Sequence, residues 1–390
     1  MYRFPHRGCR GAPPILLGMV VLLPLLGCEG LLGGGSDGRT PVGSAVQVQW
    51  RVPVTDLPGY QKPGTDGRYF YAIQERALEA RRVSDGVVLW RSRPDYGYHP
   101  TNFLAWNGLV LAAGRNAVAV DASTGAQVWT FTPHADAEFG YSAVDDQGFY
   151  FGDEAHRVYA LEPRTGAVRW ITDVGPEWQH RSVTTGVSVS GDTVYAAVRQ
   201  YASRNGEVAI GWIFALDRAT GRILWRYQNG TGTENRYFSG EATVAGRLLV
   251  AQDHARNQTI AVDRFTGQEV WRTSATLSFA GLNQAPVVSG DTVFVASHDR
   301  NVHALDLRTG RLLWQVNTQG GNSWLAVCGD YLLVNRLGVV VIERSTGRIR
   351  GTLVDDHDTR DFAGNGFAVA GNTAFVQGNK AIYGLTCRAG

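Results

Sequence analysis

Short apolar runs separated by polar turns recur along almost the whole chain. Runs such as Val118–Val120, Tyr159–Leu161 and Phe214–Leu216 are each followed by an acidic residue, a Thr-Gly dipeptide and a further apolar run that ends on tryptophan. Apolar runs of this length, bounded by glycine, aspartate and serine, indicate strands joined by tight turns. The pattern therefore predicts an all-β protein.

One repeated unit accounts for most of this pattern. The segment AVDASTGAQVW, residues 119–129, recurs with variations at 83–90, 160–170, 215–225, 261–271 and 304–314. A seventh copy begins at Ile342 and has Gly351 where the others have tryptophan. Neighbouring turn glycines lie 37 to 55 residues apart, the period of a four-stranded propeller blade; they are Gly86, Gly125, Gly166, Gly221, Gly267, Gly310 and Gly347.

Each part of the unit has a mechanical role. The acid can accept hydrogen bonds from backbone N–H groups two or three residues further on, and the glycine supplies the left-handed conformation of a short hairpin. Four residues later, the tryptophan falls on the outer strand, where it can bury against the neighbouring blade. We expect this structural role for Trp50, Trp90, Trp129, Trp170, Trp225, Trp271 and Trp314.

The unit resembles the PQQ-like (pyrrolo-quinoline quinone) β-propeller repeat, and the resemblance covers residues 46–390. Quinoprotein alcohol dehydrogenases share this repeat with the BamB-type lipoproteins of outer-membrane β-barrel assembly. The resemblance implies a propeller of four-stranded blades. It does not by itself specify a function, because one fold hosts many activities.

The two ends of the chain predict an eighth blade and a closed ring. The C-terminal segment has three strand patterns, at 366–370, 373–377 and 381–386, with no Thr-Gly turn or tryptophan after them. The N-terminal strand at 45–52 carries Trp50 with no blade in front of it. Pairing this strand with the C-terminal strands completes an eight-bladed β-propeller over residues 45–390 and covers sheet edges that would otherwise be exposed.

The N-terminal residues have the pattern of a bacterial export signal. Arg3, Arg7 and Arg10 precede an apolar run at 15–26 that is short for a membrane span. The run ends in Leu-Leu-Gly-Cys28, which resembles the lipobox of bacterial lipoproteins. The resemblance implies a signal peptide at 1–27, lipidation of Cys28 and a flexible Gly/Ser-rich tether at 28–44. An ordinary cleaved signal and a retained anchor are the alternatives.

The lipobox also carries an expectation about location. It implies a lipid-anchored protein of the cell envelope that faces the periplasm. The outer membrane is favoured over the inner membrane, because Glu29 is not the aspartate usually linked to inner-membrane retention.

Cys328 and Cys387 are the cysteines outside the N-terminal segment. An oxidising compartment permits a disulfide between them, but both lie in apolar strand patterns that are also typical of free buried cysteine. The strand patterns favour free thiols over a bridge.

Net charge argues against one class of partner. The formal charge is +2 for the whole chain, and it falls to about −1 when the three arginines of the export signal are removed. This balance gives no electrostatic reason to expect nucleic acid as a partner.

The loops between the second and third strands of the blades carry the candidate binding residues, since these loops should all open on one face. Acidic residues lie between the cations of these loops. Two interpretations therefore stand, a solvated rim and a docking face for a mildly acidic protein partner. The insertion at 199–210 should give blade four a protruding loop. The cations of these loops are Arg76, Arg115, Arg157, Arg199, Arg204, Arg256, Arg300, Arg336 and Lys380.

Two functions from different classes follow. The first is a monomeric, non-enzymatic scaffold that resembles BamB and binds other envelope proteins during β-barrel assembly. The alternative is a quinoprotein-type oxidoreductase that binds PQQ and Ca²⁺ in its axial pocket, or another small-ligand binder that uses the same pocket. No catalytic, cofactor-binding or metal-binding residue can be assigned from motifs, and the oxygen-rich cluster Asp355–Asp358 has a spacing that matches no known cation loop.

Overall fold

The apolar runs of the repeat form β-strands in the protein, which we describe from a computed structural model. The described residues contain 32 strands and no helix, and so none of them lies in a helix able to cross a membrane. They all belong to one unit, spanning 39–390. The described residues are 45–54, 61–97, 100–133, 140–175, 180, 182–202, 208–230, 234–238, 240–273, 285–296, 300–319, 324–335, 338–353, 366–378 and 381–388.

The signal peptide predicted at 1–27, the tether predicted at 28–44 and Cys28 lie outside the described residues. The strands of the first half are β1 Val46–Pro53, β2 Gly64–Thr65, β3 Tyr69–Gln74, β4 Ala77–Arg82, β5 Val88–Ser92, β6 Phe103–Trp106, β7 Leu109–Ala113, β8 Ala117–Asp121, β9 Gln127–Phe131, β10 Ala143–Asp145, β11 Gly148–Gly152, β12 Arg157–Leu161, β13 Val168–Asp173, β14 Ser182–Ser190, β15 Thr193–Tyr201, β16 Ala209–Asp217 and β17 Ile223–Gln228.

The strands of the second half complete the ring. They are β18 Thr243–Ala245, β19 Leu248–Asp253, β20 Gln258–Asp263, β21 Glu269–Arg272, β22 Val287–Ser289, β23 Thr292–Ala296, β24 Asn301–Asp306, β25 Leu312–Asn317, β26 Trp324–Cys328, β27 Tyr331–Asn335, β28 Val339–Glu343, β29 Ile349–Leu353, β30 Phe367–Ala370, β31 Thr373–Gln377 and β32 Ala381–Cys387.

These strands form eight four-stranded antiparallel sheets, which we call blades 1 to 8. Blades 1 to 7 take four consecutive strands each, from β2–β5 to β26–β29, whereas blade 8 has the order β1-β32-β31-β30. In blade 8, β1 pairs with β32 from Val46 opposite Cys387 to Pro53 opposite Ala381. The predicted eight-bladed propeller and its closure by the two chain ends are confirmed.

The antiparallel order gives the ring two distinct faces. In each blade the first–second and third–fourth turns lie at one end of the strands. The second–third hairpin and the connection to the next blade lie at the other end. We call the first face, which bears the Thr-Gly turns, the turn face, and we call the second the loop face.

Tryptophans join neighbouring blades at the turn face, as the repeat predicts. The Trp129 indole stands against Gly166 of the next blade, where a Cβ atom would lie 2.7 Å from the ring. The seven turn glycines have φ between 69° and 76°, which a side chain would strain. Each indole also donates to a backbone carbonyl of the next blade at 2.8 to 3.2 Å; the acceptors for Trp50 to Trp314, in order, are Val83, Ala122, Pro163, Arg218, Arg264, Leu307 and Arg344.

The apolar core is divided among the contacts between blades. Eight buried clusters are present, one at each seam between neighbouring blades. Side chains such as Phe149, Tyr150 and Phe214 are fully buried there. Alternate residues of each middle strand therefore serve two different clusters.

Cys328 and Cys387 form a disulfide between blades 7 and 8. The expectation of free thiols, drawn from their apolar strand patterns, is wrong. Both cysteines are buried, but the packing of blade 8 on blade 7 brings the end of β26 against the end of β32, with the two Cα atoms 5.9 Å apart. That proximity depends on how neighbouring blades pack together, so local sequence pattern does not show it.

Candidate binding face and axial cavity

The predicted loop cations lie on the loop face wherever the structure describes them. Their place in or beside the second–third hairpins puts them there. Arg204, Arg336 and Lys380 lie outside the described residues, as does the acidic cluster at 355–358. The exposed cations are Arg76, Arg115, Arg256 and Arg300, and the half-buried ones are Arg157 and Arg199.

Acidic neighbours take up part of this positive charge. Arg157 Nε lies 3.4 Å from Oδ2 of the fully buried Asp153, and Arg256 Nη2 lies 3.7 Å from Glu234 Oε2. An exposed pair such as Arg256 with Glu234 contributes little to stability. The loop face thus presents mixed charge at these positions instead of a positive rim.

The insertion in blade 4 extends a β-hairpin. Strands β14, β15 and β16 each have nine residues, and residues 199–201 pair with residues 209–211. Antiparallel pairing satisfies backbone groups that an irregular loop would leave to water. The prediction of a loop over 199–210 is therefore wrong at both of its ends, and residues 203–207 lie outside the described part of the chain.

The connection from blade 4 to blade 5 is held by backbone hydrogen bonds to both blades. Within residues 234–238, the Arg236 N–H donates to the carbonyl of Ala209 in β16 at 2.8 Å. On the other side, the His254 N–H donates to the carbonyl of Tyr237 at 2.8 Å. These bonds fix the directions of the side chains at 236 and 237.

A cation–aromatic stack stands at this junction. The Arg199 guanidinium carbon lies 3.9 Å from the centroid of the Tyr237 ring, and Tyr237 stacks on the His254 imidazole with 5.2 Å between centroids. All three residues are half-buried. Such a stack presents a flat, ordered surface of the kind that tyrosine and arginine supply in protein interfaces.

Charged groups of blade 5 and the connection form one hydrogen-bonded network beside the stack. Arg236 Nη1 lies 3.2 Å from Asp253 Oδ2 and donates to Gln258 Oε1 at 3.1 Å. Arg272 Nη1 donates to the same Gln258 oxygen at 3.2 Å, and Arg272 Nη2 donates to Glu269 Oε2 at 2.7 Å. Because Asp253 is fully buried, its charge needs the two guanidinium groups around it.

The pKa values of Glu269 and Tyr227 in this network are displaced away from neutral pH. Burial alone would raise the pKa of Glu269, but hydrogen bonds from Arg272 and Tyr227 outweigh burial and hold the pKa below its ordinary value. Burial and the 2.5 Å hydrogen bond to Glu269 raise the pKa of the Tyr227 phenol. Fixed charges suit binding better than proton transfer, which needs a group that titrates near the working pH.

The repeat pattern places Arg199 and Arg256 on the candidate binding face but gives no role to Arg236, Tyr237 and Arg272. These three residues lie in the connection and the outer strand, outside the second–third hairpins. The dense charge and aromatic content of residues 226–241 was a visible signal. Its meaning depended on how blades 4 and 5 are placed together, which the repeat alone does not show.

An apolar cavity of about 550 Å³ lies on the propeller axis. The innermost strands of blades 4 to 8 line it, and the same register position of each strand contributes a valine. These half-buried valines are Val189, Val244, Val288, Val327 and Val369.

Two pairs of side chains cross the axis at the loop-face end of the cavity. Lys62, which precedes blade 1, lies 3.8 Å from Glu241, which precedes blade 5 on the opposite side of the ring. Tyr141, before blade 3, meets Trp324 of blade 7 edge-on with 6.2 Å between centroids. Burial, with a smaller contribution from Glu241, raises the pKa of the Tyr141 phenol. These contacts brace opposite blades and narrow the opening.

The described lining of the cavity does not fit PQQ with Ca²⁺. PQQ is an anionic quinone that needs several cationic partners, whereas Lys62 is the cation of the described lining and lies beside Glu241. The described residues also place no three His, Cys, Asp or Glu side chains where they could hold a metal ion. The valine walls suit neither carboxylates nor a divalent cation.

Comparison with protein families gives a match over most of the ring. A family model described as outer membrane protein assembly factor BamB matches residues 46–212 and 209–380. The chain is 28% identical over 299 residues to the outer membrane protein assembly factor BamB of Yersinia pestis, covering 69% of this chain and 70% of that protein. It is 23% identical over 332 residues to a polyvinylalcohol dehydrogenase of Sphingopyxis, covering 69% of this chain and 49% of the enzyme.

Solved structures share the propeller. BamB from Moraxella catarrhalis superposes with a TM-score of 0.65 at 16% identity, covering 87% of this chain and 98% of that one. A quinohemoprotein alcohol dehydrogenase from Comamonas testosteroni gives 0.68 at 14% identity, covering 89% and 78%. At these identities the likeness shows the fold and does not separate the two functional classes.

Proposed function

The chain belongs to the family of the outer membrane protein assembly factor BamB, and from this membership we propose that it is a non-enzymatic scaffold that binds other proteins of outer-membrane assembly. The observation that carries the proposal is the family match, which runs through residues 46–380. The match to the dehydrogenase, in contrast, leaves half of that enzyme without a counterpart.

The loop face at blades 4 and 5 is the proposed binding surface. The Arg199–Tyr237–His254 stack and the network around Arg236 and Arg272 offer ordered polar and aromatic groups there. A rigid ring holds these groups in place before a partner arrives, so little ordering is needed on binding.

The axial cavity supports a scaffold more than an oxidoreductase. Its described walls are mainly apolar, and the Lys62–Glu241 pair leaves no surplus of positive charge for an anionic quinone. Incubation with PQQ and Ca²⁺ should therefore leave the absorption spectrum equal to the sum of the separate components. A bound-quinone spectrum with oxidation of an alcohol would overturn the scaffold function.

The cell envelope is the proposed location, with the chain held at the outer membrane by lipid on Cys28 and facing the periplasm. The lipobox supports this location, and so does the Cys328–Cys387 disulfide, since structural disulfides persist in oxidising compartments. Cys28→Ser should move the protein from the membrane pellet to the soluble periplasmic fraction. Recovery of this variant in the pellet after a high-salt wash would contradict the anchor.

Charge reversal tests the binding face directly. Arg256→Glu combined with Arg300→Glu changes exposed loop-face residues and should reduce capture of outer-membrane assembly proteins from envelope extracts several-fold, most strongly at low salt. The matched control, Arg308→Glu with Arg348→Glu, changes two exposed arginines of the turn face and should leave capture unchanged. Equal loss in both variants would show that net charge, and not the loop face, governs binding.

A further inference from the structure

The seam between blades 7 and 8 is built differently from the other seven. In those seven, the outer strand of one blade carries the tryptophan that clamps the next blade. In blade 7 the corresponding position of β29 is Gly351, which pairs with Val341 in the register that Trp314 and Ala304 occupy in blade 6. The seam between blades 7 and 8 therefore has a glycine at the position where the other seams have their tryptophan clamp.

Cys387 occupies the receiving position of the missing clamp. In every other seam, the indole of one blade donates to a backbone carbonyl of the next blade. To find this carbonyl, one takes the residue at the tryptophan position of that next blade's outer strand and then its pairing partner on the third strand. The residue that bears the carbonyl lies three positions after this partner. Ala119 pairs with Trp129, for example, and Ala122 is the acceptor for Trp90. In blade 8, Gly384 pairs with Trp50, and three residues further on stands Cys387.

Cys328 also occupies a recurring contact point. It is the last residue of the first strand of blade 7. In three other seams, the last residue of the first strand makes a polar contact with the receiving position of the following blade. These contacts are Asp145 with Arg218 at 2.9 Å, Ser190 with Arg264 at 2.6 Å and Ser289 with Arg344 at 2.5 Å. The disulfide thus replaces a polar contact at the seam that lacks a tryptophan.

We propose that the Cys328–Cys387 disulfide is the latch of the ring, and that oxidation of these two thiols closes the seam between blades 7 and 8. Blade 8 contains both ends of the described chain, so this seam and the β1–β32 pairing together hold those ends in the ring. Reduction leaves the seam with its apolar cluster and no clamp, which makes it the first seam to open.

The latch forms by thiol–disulfide exchange with a disulfide-bearing oxidant, such as an envelope thiol oxidase. One cysteine thiolate attacks the oxidant's disulfide and forms a mixed disulfide, and the second thiolate displaces the oxidant from it. The chain loses two protons and two electrons, and the oxidant leaves as a dithiol. Because both sulfur-bearing residues are buried in the closed ring, at 0% and 1% exposure, exchange takes place while the seam is open.

Reduction of the intact protein tests the latch. The full mature chain is purified in detergent, and melting is compared with and without a phosphine reductant, with alkylation and mass measurement to count free thiols. Reduction should lower the melting temperature by roughly 5 °C. The variant Cys328→Ser with Cys387→Ser should melt at the reduced wild-type temperature and should not respond to the reductant.

Hydrogen exchange locates the effect. Reduction should raise amide exchange at least about tenfold in β26, β29, β30 and β32, and it should leave blades 3 and 4 unchanged. Trp314→Ala, which removes the clamp of the neighbouring seam, serves as a control that lowers stability and still responds to the reductant. If the serine variant does not fold, the wild-type reduction series decides alone.

Three results would overturn the latch. Two free thiols in the protein as isolated from the envelope would show that the bridge is not formed. A melting temperature that changes by less than about 1 °C on full reduction would show that the bridge does not hold the seam. An even rise in exchange across all blades would show that its effect is not local to the seam.

Discussion

The turn face and the loop face of the ring are built on opposite principles. On the turn face, the same indole–glycine contact and the same carbonyl acceptor position recur at seven seams. On the loop face, the described connections differ from blade to blade, and the polar network at blades 4 and 5 joins a connection to particular side chains of β17, β19 and β21. The repeated contacts of the turn face stabilise the fold, and the connections of the loop face that differ between blades supply a surface that can bind specifically.

The two faces also differ in the kind of interaction that holds them together. Turn-face contacts bury large aromatic area, which is the main stabilising contribution in a folded protein. Loop-face contacts are hydrogen bonds and ion pairs, whose net contribution to folding is small because water competes for the same groups. Substitutions on the turn face should therefore change melting, and those on the loop face should change binding.

Removal of β1 should have the largest effect. Deleting residues 45–52 exposes the edge of β32 and removes Trp50 together with its hydrogen bond to Val83. We expect the melting temperature to fall by about 10 °C or more. Deleting residues 29–40 should leave folding unchanged. Melting of the two truncated proteins is measured by calorimetry, and equal melting temperatures would contradict closure by the chain ends.

Removal of one clamp should have an intermediate effect. Trp129→Ala deletes an indole that is only 8% exposed and that packs against Gly166. The expected loss is about 3 to 5 kcal/mol in free energy of unfolding, measured by urea denaturation. Val128→Ala, the neighbour on the same strand at 48% exposure, should cost about 0.5 kcal/mol or less. Similar losses at both positions would argue against a special role for the clamp.

Substitution of a turn acid should have the smallest effect and a distinct pH dependence. Hydrogen bonds from Ser123 and Thr124 lower the pKa of Asp121 in the folded protein. Stability from this carboxylate is therefore complete above its ordinary pKa and is lost as the pH falls through the lower, folded value. Asp121→Asn should lower melting at pH 7 by about 1 °C, and the difference from wild type should shrink towards pH 2. A difference in melting temperature that stays constant with pH would show that the substitution acts through the shape of the side chain and not through its charge.

The sequence was sufficient for the fold because the information was local and repeated. A Thr-Gly turn and a tryptophan four residues later predicted the third–fourth hairpin of five blades, and incomplete copies at Gly86 and Gly347 predicted two more. Trp50 without a preceding blade predicted the closure by chain ends. The disulfide was weighed but not favoured, because Cys328 and Cys387 are brought together by the packing of blade 8 on blade 7, which their local strand patterns do not show. The network around Arg236 and Arg272 was missed for a similar reason, since it depends on the relative placement of blades 4 and 5.

The loop cations show a limit of a different kind. Their position on one face followed from strand order alone, and the structure confirms it for Arg115, Arg256 and Arg300. Their electrostatic environment did not follow, because partners such as Glu234 come from a connection outside the repeat. Strand order can be derived from a repeat in the sequence, whereas the partners of a side chain depend on which residues surround it in three dimensions.

Division of the core among eight seams has a consequence for resistance to proteolysis. Cleavage requires a segment to leave the folded body, and in a closed ring one blade can be freed only when the apolar clusters on both of its sides give way together. A linear array of the same blades would lose its terminal blade after a single rupture. Closure thus makes the release of any one blade depend on two seams at once, which lengthens the lifetime of the ring against degradation.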